Sequence, residues 1–189
     1  MGSLLNHTIV SERPMNAVTF VDNHDTQPGQ GLSTFVMSWF KPLAYAVILL
    51  RRDGLPCVFY GDLFGIPHDN VTPTKGLIEM MMARAADAYG DQMDYFDHQD
   101  TVGWTRMGDD EHPGSGMAVL MSDGPGGEKQ MYAGMNHAGE TYIDLLGSCP
   151  EEIVIGNDGN AVFRCEGGSV SVWMPKASAE KISVLRQRD

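Results

Sequence analysis

Apolar and polar positions fall into two regimes that meet near residue 97. In the first, long apolar runs alternate with polar loops. Residues 17–21 are β-branched and aromatic, and they stop abruptly at Asp22-Asn23-His24-Asp25-Thr26-Gln27. An uninterrupted apolar run of this kind predicts a strand covered on both faces, as in a parallel sheet. Residues 32–50 predict a helix, with Ser33 as N-cap and Pro42 as a kink. Residues 55–60 predict a second buried strand, ending at Gly61-Asp62, so strand, helix and strand make a βαβ unit with a right-handed crossover. Residues 76–89 predict a further helix, with Leu77, Met80, Met81 and Arg84 at helical spacing and Gly90 just beyond its end.

The second regime is built of short runs: 101–106, 117–121, 130–133, 141–144, 153–155, 161–164 and 169–174. Turn-forming stretches lie between them, such as Ser122-Asp123-Gly124-Pro125 and Gly156-Asn157-Asp158-Gly159. This pattern predicts an antiparallel sandwich or Greek key. The tail from Pro175 loses the pattern and is expected to fray or dock loosely.

Composition narrows the classes of function. The 189 residues carry 25 acidic and 13 basic side chains, a formal net charge of −12. Nucleic acid and anionic membranes are bound by clustered Lys and Arg, so neither is expected as a partner. A complete eight-fold β/α barrel takes about 250 residues and does not fit. The longest apolar run, 43–50, is too short to span a bilayer, and residues 1–14 lack the apolar centre of a signal peptide. Three cysteines, with no CxxC pair, argue against a disulfide framework or a zinc ribbon, and 13 methionines suit a reducing interior. A soluble, cytoplasmic protein is expected.

The densest chemistry follows the first strand. Polar side chains just past the C-terminal end of a buried strand sit where barrel and open α/β folds place their active sites. On spacing alone the same stretch serves equally well as a solvated turn. Trp39, Trp104 and Trp173 lie in apolar segments and are expected in the core, with Cys57 an inert buried thiol. Glu79 and Asp87 read as a solvated helix face. His68, His112 and His137 have no ligand spacing.

The full string Phe20-Val21-Asp22-Asn23-His24-Asp25-Thr26-Gln27-Pro28-Gly29-Gln30 resembles a signature region of the α-amylase family of glycoside hydrolases, where the seventh barrel strand ends in Asn-His-Asp. Trp39-Phe40-Lys41-Pro42-Leu43-Ala44-Tyr45-Ala46 and Val58-Phe59-Tyr60-Gly61-Asp62 are similar to that family's last barrel helix and eighth strand. Asp94-Tyr95-Phe96-Asp97-His98, Val102-Gly103-Trp104-Thr105-Arg106 and residues 122–127 and 167–173 are similar to its C-terminal β-domain. The resemblance covers about residues 1–175 and is to the liquefying bacterial and fungal intracellular types. It implies an α/β region, residues 1–97, forming the C-terminal part of a (β/α)8 TIM barrel. An all-β region, residues 98–189, would follow as an antiparallel Greek-key β-sandwich with a loose tail.

The resemblance also implies an activity: retaining endo-hydrolysis of α-1,4-glucosidic bonds in starch, glycogen and maltodextrins. Asp25 would be the transition-state stabiliser. His24, Asn23 and Gln27 would contact substrate, with Asp22 and Asn23 also shaping the loop. Calcium is implied at Gln99, Asp100 and Asp123. The two latter read equally as a solvated residue and a turn initiator. The segments that supply the family's nucleophile and general acid have no counterpart here, and Asp62, Asp69, Glu79 and Asp87 do not stand in for them. The isolated chain is therefore expected to be inactive, its partner being the N-terminal barrel half. The alternative is a non-catalytic carbohydrate-binding or structural module.

Overall fold

The computed structural model describes residues 1–186. After a short helix α1 (Ile9–Glu12), strand β1 (Val18–Phe20) pairs in parallel with β2 (Leu55–Cys57), Thr19 opposite Pro56. The connection is helix α2 (Lys41–Leu50). Two short strands form this sheet alone, so one face lies open. Val18, Phe20, Leu55 and Cys57 are exposed, where the sequence predicts buried strands and an inert thiol. Helix α2 also begins later than expected. Residues 33–37 are irregular, and Pro42 lies in the first helical turn. Proline lacks an N–H, which the first turn leaves unpaired anyway, so here it starts a helix instead of kinking one.

Helices α3 (Tyr60–Phe64) and α4 (Leu77–Asp87) follow. Gly76 caps α4 at φ +74°, and Gly90 at the same φ lets the chain cross the end of a later strand. A Cβ on Gly90 would fall 1.8 Å from the Gly108 carbonyl oxygen, so only glycine permits this crossing.

The remaining strands are β3 (Gln92–Tyr95), β4 (Thr101–Arg106), β5 (Met117–Ser122), β6 (Gly126–Tyr132), β7 (Thr141–Asp144), β8 (Ile153–Val154), β9 (Asn160–Glu166) and β10 (Ser169–Pro175). Six of them form an antiparallel sheet in the order β3-β4-β5-β10-β7-β8, and β6 pairs with β9 as a separate ribbon. After β5 the chain leaves the sheet for β6, returns for β7 and β8, leaves again for β9 and comes back at β10, which lies between β5 and β7. The sequence pattern predicts no strand at residues 92–95, yet β3 joins the sheet from the N-terminal side of residue 97. No closed barrel occurs among the described residues.

Alternation along β5 and β10 builds two cores. Met117, Val119, Met121, Val170, Val172 and Met174 meet Leu43, Leu50, Leu77 and Met80 of the helices. On the other face Ala118, Leu120 and Trp173 meet Met131 and Phe163 of the ribbon. The sheet is thus covered on both sides, and β4 and β5 are buried along their whole length. Trp104 and Trp173 lie in these cores as expected.

The tail departs from expectation. It forms helix α5 (Lys176–Arg186), whose buried Ala179 and Ile182 join the helical core. Ser178 donates a hydrogen bond to the Asp87 carboxylate at 2.7 Å. Asp87 is therefore buried and not on a solvated face, and burial pushes its carboxyl up to about 6.

Candidate functional site

Beyond Phe20 the chain closes into a turn whose polar side chains divide into those that hold it and those left free. Asp22 is buried. Its carboxylate accepts from the Thr26 hydroxyl at 3.0 Å and from the Val36 N–H at 3.2 and 3.3 Å, fastening both ends of the loop. The Asn23 side-chain oxygen accepts from the N–H groups of Asp25 (2.9 Å) and Thr26 (3.1 Å), an Asx turn that spends this acceptor on backbone. Gln27 is half-buried, and its N–H donates to the Asn23 carbonyl at 3.2 Å.

His24 and Asp25 alone in this turn point into solvent, their side chains 83% and 60% exposed. His24 Nε2 lies 3.5 Å from Asp25 Oδ1. The string read as one site thus separates into a scaffold of Asp22, Asn23 and Thr26 and two free groups. Of the four residues expected to meet substrate, His24 and Asp25 are presented outward, and the Asn23 oxygen is committed to the turn.

Behind the loop lies a buried ion network that sequence reasoning missed. The Lys41 ammonium is 3.1 Å from Asp22 Oδ2, bonds the Asp62 carboxylate, and has the Phe35 ring over it, 3.1 Å to the centroid. The Tyr45 hydroxyl donates to the other Asp62 oxygen at 2.6 Å. Burial, then this bond to Asp62, pushes the Tyr45 hydroxyl pKa far up, so it stays a donor. Lys41 and Asp62 are essentially inaccessible, and buried charges persist only when paired and hydrogen-bonded. The signal in the sequence was a lysine opening an otherwise apolar helix. Its partners lie 19 residues before and 21 after it, a distance that local pattern does not reach.

Other expected positions are more dispersed. Asp100 precedes β4 and Asp123 follows β5, next to the Thr101–Ser122 pair at one end of the two strands, and the Asp123 N–H donates to the Asp100 carbonyl at 3.2 Å. The His98 ring nitrogen Nδ1 accepts from the Asp100 and Thr101 N–H groups, and the Met1 amino group bonds the Gln99 carbonyl. Gly124 packs so tightly here that a Cβ would sit 3.0 Å from that of Asp100. Calcium takes six to eight oxygens. Two carboxylates and one occupied carbonyl fall short of that. No cluster of three His, Cys, Asp or Glu side chains fit for a metal occurs among the described residues. These residues do not by themselves make a calcium centre.

Trp39, expected in the core, is exposed, because it precedes α2 in a turn and packs edge-on against Phe40. His137 is buried, with Nδ1 2.7 Å from a Glu140 carboxylate oxygen and Nε2 3.1 Å from the Met107 carbonyl, which is a structural role. Cys149 and Cys165 are buried free thiols, pushed up to about 11 and 12 by burial.

No protein-family profile matches the sequence. The chain is 53% identical over 177 residues to an alpha-amylase of Geobacillus stearothermophilus, covering 93% of this chain and 32% of that one. It is 43% identical over 185 residues to the cytoplasmic alpha-amylase of Escherichia coli (strain K12), covering 92% and 37%. It thus spans about a third of the length of the curated relatives it matches. Among solved structures, an alpha-amylase from Malbranchea cinnamomea shares the fold at a TM-score of 0.59 and 16% identity, over 87% of this chain and 38% of that one. No helix among the described residues is long and apolar enough to cross a membrane. Sequence identity across nearly the whole chain and a shared fold lead to one conclusion: the chain belongs to the α-amylase family of glycoside hydrolases, of which it is a C-terminal portion.

Proposed function

We propose that this chain contributes the transition-state-stabilising carboxylate, Asp25, and the sugar-contacting His24 to hydrolysis of α-1,4-glucosidic bonds in starch, glycogen or maltodextrins. A cytoplasmic location is part of this reading, in line with one relative's name. The observation that carries it is the division of labour in the loop. Asp22 and Asn23 are spent on holding the turn, while Asp25 and His24 stand free beyond the end of a parallel strand.

A carboxylate placed there accepts hydrogen bonds from sugar hydroxyls. Those bonds strengthen as the ring flattens and charge develops at the anomeric carbon, which lowers the barrier to reaction beyond any gain in substrate affinity. His24, 3.5 Å from Asp25, donates to the same sugar. Retaining hydrolysis also needs two carboxyl groups about 5–5.5 Å apart. Asp22 and Asp62 are buried on Lys41, and no second free carboxylate accompanies Asp25 in the loop. The nucleophile and the acid therefore come from residues outside this set. That observation also favours a second reading, a carbohydrate-binding module without chemistry.

Joining the chain to the N-terminal part of a close relative tests the proposal. Release of reducing ends from soluble starch should appear in the joined protein and not in the 189-residue chain. Asp25→Asn should then lower kcat on the order of 10^3-fold with little change in KM. Near-normal turnover of that variant would remove Asp25 from the mechanism. Starch binding by the chain, with no gain of hydrolysis on joining, would favour the binding module.

A further inference from the structure

A pocket of about 360 Å³ opens where the end of α2 meets the last turns of α4 and the end of β4, and four guanidinium groups line it: Arg51, Arg52, Arg84 and Arg106. The chain has only 13 basic side chains and a net charge of −12, so four arginines in one small space demand an explanation. Two carboxylates answer part of the charge. Arg51 is held by Asp94 through both terminal nitrogens, at 2.6 and 2.9 Å, and Asp53 lies 3.9 Å from Arg51 and 3.7 Å from Arg52.

Arg84 and Arg106 have no carboxylate partner among the described residues. Arg84 bonds the Leu49 carbonyl at the end of α2, and Arg106 donates to the Gly90 carbonyl at 3.2 and 3.3 Å. Closing off helix ends accounts for those bonds, yet each guanidinium carries five donors and most remain free. Arg106 is also buried, and burial, with repulsion from Arg52 and Arg84, pushes its pKa down to about 10. Burial lowers Arg84 as well. The fold holds these charges together against their preference, with two positive charges in excess of Asp53 and Asp94.

We propose that this pocket binds a phosphate group, whose oxygens accept together from Arg52, Arg84 and Arg106, with Arg51 fixed by Asp94 as the far wall. Planar guanidinium forks match tetrahedral oxyanions two bonds at a time, where a lysine offers only a point charge. A phosphate dianion also matches the charge excess, and a carboxylate does not. Met81 and the Tyr89 ring supply an apolar side that limits competing water. Free phosphate and the phosphate monoester of a sugar share this chemistry. Bound at the seam between α2, α4 and β4, either would tie the helices to the sheet.

Calorimetric titration of the 189-residue chain with inorganic phosphate, against chloride at equal ionic strength, is the test. Saturable binding of phosphate beyond chloride is expected. Arg52→Gln and Arg84→Gln should each weaken it about tenfold, the worth of one charge-assisted bond. Arg52 is exposed, so Arg52→Gln should keep the melting temperature measured without phosphate and report binding alone. Glucose 6-phosphate forms the second arm. Binding at least as tight as that of inorganic phosphate assigns the pocket to a monoester, and weaker binding assigns it to the free ion. Absence of heat beyond chloride in a folded chain, or phosphate affinity unchanged in both variants, would overturn the proposal.

Discussion

In the antiparallel sheet Val102, Trp104, Val119 and Leu120 are completely buried, whereas in the two-stranded parallel sheet Val18, Phe20 and Leu55 are each more than half exposed. The strands differ little in apolar character; they differ in neighbours. Each central antiparallel strand has partners on both sides, and helices and ribbon cover its faces. Parallel strands are built to be covered on both faces, and two of them alone cannot achieve it. Order at the end of β1 therefore rests on the Asp22–Lys41–Asp62 network and Tyr45. One region is held by apolar packing, the other by a few buried charges.

The sharpest way to break this comparison is to remove one holding element from each region. Lys41→Met leaves Asp22 and Asp62 facing each other without a cation. It should cost about 3–5 kcal/mol in urea unfolding. Amide exchange should rise first at Thr26 and Val36, while Val119 and Val172 keep their protection. Trp173→Ala opens a cavity on the ribbon side of the sheet and removes one of the donors to the Arg164 carbonyl, which keeps the Ser171 hydroxyl. A cost of about 3–5 kcal/mol is expected there too, with protection lost across β5 and β10 and the β1 loop less affected. If both variants loosened both regions equally, the two would be one cooperative unit and the distinction would fail.

A smaller effect probes the seam between the regions. Burial raises the Asp87 carboxyl from its ordinary 3.8 to about 6. The folded state thus binds this proton more tightly than the unfolded chain does. The stability this provides is complete below about pH 3.8 and is lost as pH rises through about 6. Asp87→Asn keeps an acceptor for Ser178 and carries no charge. Its urea midpoint should rise by the equivalent of about 1–2 kcal/mol at pH 7–8 and change little at pH 4. An equal change at both pH values would mean that α5 docks without regard to this charge.

The smallest effect belongs to the open sheet. Val18→Thr and Leu55→Thr replace exposed apolar groups and should each shift stability by less than about 0.5 kcal/mol. The same change at Val119 should cost several times more, because a hydroxyl there is buried among Trp104 and Val172 without a partner. Comparable costs at Val18 and Val119 would show that the β1–β2 face is covered in solution.

Much of this molecule was legible in order and little of it in depth. The runs at 101–106 and 141–144 form strands β4 and β7 at those bounds, because short runs bounded by turn residues are local signals. The string 20–30 marked the loop, and its relatives marked the family. Strand β3 carries no local signal, since Gln92-Met93-Asp94-Tyr95 has no apolar run and is strand only by pairing with β4. The tail shows no local pattern because its helix needs the Asp87–Ser178 bond and the burial of Ala179 and Ile182 to be stable.

By itself, then, the sequence determined which segments are strand, helix or turn wherever neighbouring residues decide the matter, and where the candidate chemistry lies along the chain. Tertiary structure decided which polar groups of that chemistry are free. Asn23 and Asp25 are both polar loop residues in sequence. One is consumed by backbone N–H groups and the other faces solvent. Lys41 became a buried ion between two carboxylates, and four arginines scattered from 51 to 106 converged on one pocket. Burial and charge pairing depend on distances through space, and such distances between residues far apart in sequence exist only once the chain has folded.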